Sequence, residues 1–247
     1  MFEIYDAIFN QRGEAYHRAM TLFPHARRNE FRLPSMHVAL RPGDVICDIP
    51  SGGGYLLQHL PADLDLRLVA IDPSEVFAKQ WSDEYIESHL APLHRLPLDN
   101  ASVDAIISIA GLHHAENRLA VFREMRRVLR PGGRLCILEV AAGSITDRFL
   151  NGFVHSHNSM GHEGRFVDDG FRNDLELAGW QIQKDQLCRY TWDFPDEAGM
   201  VDFMRLMFGL DRAEPGQVSE GVDRILGMVH DEGGTKVNWE LQLLVAT

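Results

Sequence analysis

A three-layer α/β fold, a mainly parallel sheet with helices on both faces, is predicted by three observations. Short apolar runs alternate with amphipathic stretches of helical period along the first 140 residues. The first of those runs ends in an acid and breaks into glycines, Ile-Cys-Asp-Ile-Pro-Ser-Gly-Gly-Gly at 46–54. The last run, Val237 to Ala246, places Val237, Trp239, Leu241, Leu243 and Val245 on one face with the period of a strand.

The elements follow in order. Residues up to about Phe31 carry an apolar helical face through Ala7, Ala15, Ala19, Met20 and Phe23. Pro34 and Pro42-Gly43 punctuate the chain before strand one, Val45 to Ile49. The glycines at 52–54 make a tight turn, and Tyr55 to Leu60 reads as the helix entered from it. Strand two, Leu66 to Ile71, ends in Asp72-Pro73-Ser74, with Ser74 as N-cap of a helix reaching Lys79 or Trp81. Strand three falls loosely between Ile86 and Leu93, and strand four is Val103 to Ile109. Leu119, Phe122, Met125, Val128 and Leu129 share one side of the next helix, which Pro131-Gly132-Gly133 ends before strand five, Arg134 to Val140. Arg123, Arg126, Arg127 and Arg130 read as a solvated helix face rather than an anion site. Beyond Ala141 a polar, strand-free stretch reaches Gly164. A helix over 169–178, strand six over 181–190 and a helical, loop-rich insertion over 196–234 come before the final strand.

The formal charge of −12 disfavours a phosphate-backbone ligand and an anionic membrane surface. Three cysteines in apolar stretches, with no paired spacing, predict neither a disulfide framework nor a zinc site. No apolar run approaches the roughly 18 residues of a membrane span, and the first residues lack a leader pattern. The expectation is a reduced, soluble, cytoplasmic protein.

The motifs between residues 40 and 142 act as a set. Asp48 to Gly54, Asp72 at the end of strand two, Leu96 to Asp104, Leu112-His113-His114, and Arg127 to Leu135 keep an order and spacing that resembles class I S-adenosylmethionine-dependent methyltransferases of the small-molecule type. The resemblance implies a Rossmann-like, doubly wound, seven-stranded sheet, mostly parallel with an antiparallel last strand. It implies S-adenosyl-L-methionine as cofactor and a single domain over 1–247. Within it, 1–35 would be a helical lid, 36–142 the cofactor-binding core, and 143–165 and 196–234 acceptor-side insertions. A nicotinamide dehydrogenase fits less well, because Gly52 and Gly54 are followed by Leu57 in place of a third glycine.

Residue by residue, the resemblance assigns Asp48, Pro50, Ser51, Gly52 and Gly54 to the methionine end of the cofactor and Asp72 with Pro73 to its ribose. Leu93 and His94 go to the adenine, and the Ala110 carbonyl to the ammonium. His114 or His113 can serve as general base; the competing reading is a packed histidine. Two departures stand out: Pro50 lacks the N–H of the usual glycine, and Pro92-Leu93 replaces an acid and a small residue near the adenine. In the N-terminal segment, Tyr16 or Arg27 can touch the cofactor or acceptor, with Tyr5, Arg28 and Glu30 nearby. The run His155-Ser156-His157 to His162-Glu163 has ligand types for zinc or iron but no closed metal spacing. It reads as a polar acceptor-site or surface loop, and no metal is assigned. Phe203, Met204, Met207 and Phe208 form core or an apolar acceptor pocket.

The implied reaction is in-line transfer of a methyl group to an oxygen, nitrogen or carbon acceptor, with alignment and exclusion of water as the protein's part. The expected partner is a small-molecule acceptor, with neither nucleic acid nor membrane; the oligomeric state is open, a homodimer included. The alternatives are an RNA or protein methyltransferase and a non-catalytic cofactor-binding protein of the same fold.

Overall fold

The structure is a computed structural model that describes residues 4–247, with side chains from residue 8 onward. A role for the Tyr5 side chain lies outside the described residues. Helices α1 (Ile4–Leu22) and α2 (Arg28–His37) lead into β1 (Val45–Asp48). β2 (Arg67–Asp72), α3 (Glu75–Ala78), β3 (Glu87–Leu90), β4 (Val103–Ile109), α4 (Arg118–Val128) and β5 (Leu129–Glu139) complete the first half. A helical stretch follows as α5 (Ile145–Asp147), a π-helical turn Arg148–Val154 and α6 (His155–His157). The rest is α7 (Asp169–Leu177), β6 (Ile182–Phe194), α8 (Glu197–Phe208), α9 (Pro215–Ile225), β7 (Met228–Asp231) and β8 (Gly234–Ala246).

The sheet order is β3-β2-β1-β4-β5-β8-β6, with β7 paired to β8. β1 to β5 pair in parallel, whereas β8 runs antiparallel between β5 and β6. The expected antiparallel last strand is therefore present. β7 adds a short eighth strand that the loop-rich reading of 196–234 misses.

Successive residues on the inner strands enter different cores. Ile46, Ala105, Ile107, Cys136 and Leu138 face the side of α1, α2 and α8, while Cys47, Ile106, Leu135 and Ile137 face α4 and α7. Both faces of a parallel sheet must be covered, which is why these strands are apolar throughout. The completely buried Ile46, Ile106 and Ile107 each contribute roughly 1.5–3 kcal/mol by leaving water. Along β8, Val237, Trp239, Leu241 and Leu243 enter the first core and Leu244 and Ala246 the second, as the alternation predicts.

Four local expectations are corrected. Residues 55–60 form no α-helix: Leu57–His59 is a single 3-10 turn and its side chains are not buried. Of residues 55–60 only Leu56 is buried, and one anchoring side chain does not hold a helix of that length. Pro131-Gly132-Gly133 sits within β5, where the β4–β5 register slips between Val103↔Leu129 and Ala105↔Arg134. The glycine turn thus bulges the strand rather than preceding it. The 143–165 stretch is helical over 145–157, and β6 runs on to Phe194 because β8 pairs with it all the way to Thr235.

The arginines of α4 and of the start of β5 are not a bare solvated face. Arg127 donates to Glu124 and to the carbonyls of Leu96 and Leu98, Arg130 pairs with Asp104, and Arg126 lies 5.1 Å over Trp180. They fasten the loop before β4. Among the described residues, no helix is long and apolar enough to cross a membrane.

Candidate active site

Parallel pairing brings the carboxyl ends of β1, β2, β4 and β5 to one edge of the sheet. β1 and β4, whose crossovers run in opposite directions, meet there, and such a switch point opens a crevice. Three of these strands end in a buried acid: Asp48, Asp72 and Glu139. The fourth ends in Ala110, which takes φ +48, a left-handed conformation that strains a residue with a Cβ.

The three acids differ in their partners. Asp72 accepts from the backbone N–H of Gly52 at 2.8 Å and of Ser74 at 2.9 Å, tying the glycine turn to the turn after β2. Ser74 caps α3 by accepting from the Phe77 N–H, as predicted. Asp48 receives a long hydrogen bond from the Tyr85 hydroxyl at 3.5 Å. Burial, followed by the charge of Asp72, raises the Asp48 carboxyl well above the usual range, and Tyr85 offsets part of this. Glu139 accepts from the N–H groups of Leu112, His113 and Val140 and from His113 Nδ1, at 2.8–3.1 Å. It fixes the 3-10 turn Leu112–His114 against the end of β5.

Two cavities lie over this edge. One, of about 50 Å³, is lined by Asp48, Pro50, Ser51, Gly52, Phe77 and Ala110 among others. The second, of about 80 Å³, lies against His113, His114, His162, Met207, Phe208 and Trp239. Phe9, Tyr16, Arg27 and Ala110 border both. A larger open groove of about 700 Å³ runs outside the glycine turn, along Gly53, Gly54 and Tyr55, and touches none of the three acids.

The structure thus brings Asp48, Pro50, Ser51, Gly52 and Ala110 together at one cavity and His113 and His114 at its neighbour. It does not bring Gly54, Pro73, Leu93 or His94 to either. Gly54 faces the outer groove, Leu93 is buried in the second core, and His94 is exposed. Asp72 lies behind Gly52 rather than on a cavity wall. Met207 and Phe208 line the second cavity, whereas Phe203 and Met204 are core, so the α8 expectation divides between its two readings.

α1 covers the first cavity. Phe9 packs on Phe77 with ring centroids 5.2 Å apart, Asn10 Oδ1 accepts from the Ser74 hydroxyl, and His17 bonds Tyr55 at 3.0 Å. Arg27 reaches Tyr16 from α2's N-terminal edge and forms a buried ion pair with Glu30. Burial opposes the Arg27 charge, but Glu30, Tyr16 and Tyr190 together outweigh it, and its pKa lies above the ordinary guanidinium value. Glu30 in turn accepts from Tyr190 and from Trp192 Nε1 at 2.8 Å.

The donor set fits an aminoacyl sulfonium nucleoside. Gly52, on the cavity wall, adopts φ +53. Backbone can therefore approach a ligand there as no side-chain-bearing residue allows. Asp48 is a buried acid with room for a cation. The volume fits only with α1 displaced, since ligand pockets are typically several hundred Å³.

Sequence reasoning misses Glu139, Tyr85, Arg12 and Phe9. Glu139 carries the signal that singled out Asp48 and Asp72, a lone acid closing an apolar strand. The others come from remote segments and leave no local mark.

Residues 47–137 match the methyltransferase-domain family. The chain is 30% identical over 138 residues to a tRNA (carboxymethyluridine(34)-5-O)-methyltransferase of Macaca fascicularis, covering 53% of this chain and 20% of that one. It is 30% identical over 187 residues to the arsenite methyltransferase of Halobacterium salinarum, covering 69% and 47%. The chain spans less than half the length of these curated relatives. A solved S-adenosylmethionine-dependent methyltransferase from Thermotoga maritima superposes with a TM-score of 0.65 at 15% identity, covering 98% of this chain and 99% of that one. The fold is therefore that of the class I, Rossmann-like methyltransferases. Within it, segment 47–137 is the part that matches the methyltransferase-domain family.

Proposed function

We propose that this protein moves the methyl group of S-adenosyl-L-methionine to a small-molecule acceptor bearing an oxygen, nitrogen or carbon nucleophile. The observation that carries the reading is the pair of abutting cavities at the β1–β4 switch point, which share Ala110. The bound cofactor supplies an activated methyl group. Asp48 and the Ala110 carbonyl receive its ammonium, and the glycine turn takes its carboxylate end. Asp72 holds the turn in shape and meets the ribose once α1 has moved.

The acceptor lies in the apolar cavity, oriented by Met207, Phe208 and Trp239 and screened from water by α1. Burial, then His113, His162 and Arg12, keep His114 well below its ordinary pKa, so its imidazole is neutral and has a lone pair for the cavity. His113, pinned by Glu139, orients the turn. Residues 1–35 act as lid and 143–165 and 196–234 as acceptor-side segments of one domain.

A tRNA acceptor, as in the first relative, is not favoured by a chain with charge −12. An arsenite acceptor, as in the second, would want thiolates, and all three cysteines are free and buried. Free cysteines also suit a reducing compartment such as the cytoplasm. Calorimetry with S-adenosylmethionine tests the reading: micromolar binding weakened at least several-fold in Asp48→Asn supports it, and absence of binding overturns it. An acceptor screen monitored by S-adenosylhomocysteine release then separates an enzyme from a non-catalytic binder.

A further inference from the structure

We propose that His113, His114 and His162 form a binding site for one divalent transition-metal ion of the zinc type at the wall of the acceptor cavity. One ligand nitrogen from each lies within 4.8 Å of the others, and among the described residues this group has metal-holding geometry. The rings of His113 and His114 lie 5.6 and 5.3 Å from that of His162, and 4.0 Å from each other. All three line the same cavity. Each half stands out in the sequence by itself, but His162 lies 48 positions beyond His114, so their meeting is not visible there.

Tautomers support the assignment. His113 Nδ1 donates to Glu139 Oε1 at 2.8 Å, which leaves its Nε2 as a lone-pair donor. His162 Nδ1 donates to Asn151 Oδ1 at 3.0 Å, which frees its Nε2 in the same way. Asn151 is itself oriented, because its Oδ1 also accepts from Gly164 N–H and its amide donates to the Gly164 carbonyl. A carboxylate behind His113 and an amide behind His162 make the arrangement that orients histidine ligands.

The charges balance as well. Glu139 places a negative charge behind His113, and Arg12, the nearby cation, is held by the Met207 carbonyl with Asp211 as counter-charge. A bound zinc ion needs nitrogens at about 2.0–2.1 Å, so the rings close on it by side-chain rotation, chiefly of His162 on its loop. Three imidazoles leave a fourth position open to the cavity. On the methyl-transfer reading, that position takes the acceptor's heteroatom, which selects acceptors with an ionisable oxygen, nitrogen or sulfur over carbon nucleophiles.

The test is a titration of untagged, chelator-treated full-length protein with cobalt(II), followed by visible absorption, with zinc in competition. One cobalt per chain with a ligand-field spectrum is expected, displaced by zinc. His162→Gln should weaken it at least tenfold, and Asn151→Ala by roughly 10–100-fold through the second shell. His89→Gln, on β3, should leave it unchanged. Circular dichroism establishes that each variant is folded. No cobalt binding by the wild type, or equal binding by His162→Gln, overturns the inference. Because S-adenosylmethionine binding is read separately by calorimetry, cofactor binding without cobalt binding sinks this site alone, and the converse sinks the methyl-transfer reading alone.

Discussion

Asp48 and Glu139 are both buried acids closing strands of one sheet, yet their surroundings are opposite. Glu139 is surrounded by four donors within 3.1 Å and works as a structural anchor for the turn bearing His113 and His114. Asp48 has a 3.5 Å contact with Tyr85 and another acid, Asp72, nearby, and its carboxyl is driven towards the neutral form. A satisfied acid stabilises the protein by itself. An acid left short of partners costs stability until a cation arrives, which is the condition of a binding group rather than a strut.

The largest effect that can break this contrast is Glu139→Ala. It orphans three backbone donors and His113, so unfolding in urea should show a loss on the order of 3–5 kcal/mol. A loss below about 1 kcal/mol would mean that the network carries little. Asp48→Asn should do the reverse: equal or greater stability of the free protein at pH 7, and cofactor affinity about tenfold lower or more.

The proton inventory sharpens the same point. Asp48 has a raised pKa in the free protein, so binding a cationic ammonium drives its proton off, and affinity should rise with pH through that pKa. Calorimetry in buffers of different ionisation enthalpy should detect the released proton in the wild type and not in Asp48→Asn.

On the histidine side the sign is opposite. His162 is held down to about 3 by burial, then by His113, Arg12 and His155, from an ordinary value of 6.5. The unfolded chain takes up that proton below pH 6.5 and the folded chain does not. Stability from this group is therefore complete above 6.5 and declines as pH falls towards 3. In metal-free protein the loss should be about 2 kcal/mol by pH 5. Asp48 opposes this slope, so the difference between wild type and His162→Gln is the quantity to measure.

The smallest expected effect concerns the cover. His17→Ala removes a half-exposed hydrogen bond to Tyr55. It should speed cofactor association a few-fold while moving stability by about 1 kcal/mol or less. Stopped-flow fluorescence of Trp81, whose indole N–H bonds the Gly52 carbonyl, reports it.

The glycine-turn half of the candidate site is legible in the chain because its chemistry is local. Gly52 and Gly54 are needed where backbone must turn with positive φ, and Asp48 and Asp72 sit where apolar strands end. The helix expected over 55–60 fails because one fully buried side chain, Leu56, does not hold so short a segment. Leu93 and His94 miss the cavities because the resemblance places segments, not side-chain directions. The Asp72 carboxylate, expected at a ribose, accepts from the Gly52 and Ser74 N–H groups in the free protein.

By itself the sequence determined the alternation of strands and helices, the glycine turn, the acids at strand ends and the two-sided sheet. Each is a matter of period, local backbone freedom or an acid in an apolar run. Only the tertiary structure decided that Glu139 anchors the histidine turn, that α1 closes over Asp48, and that His162 meets His113 and His114. Those contacts join residues tens of positions apart, and crossing order and packing, which leave no trace in local pattern, bring them together.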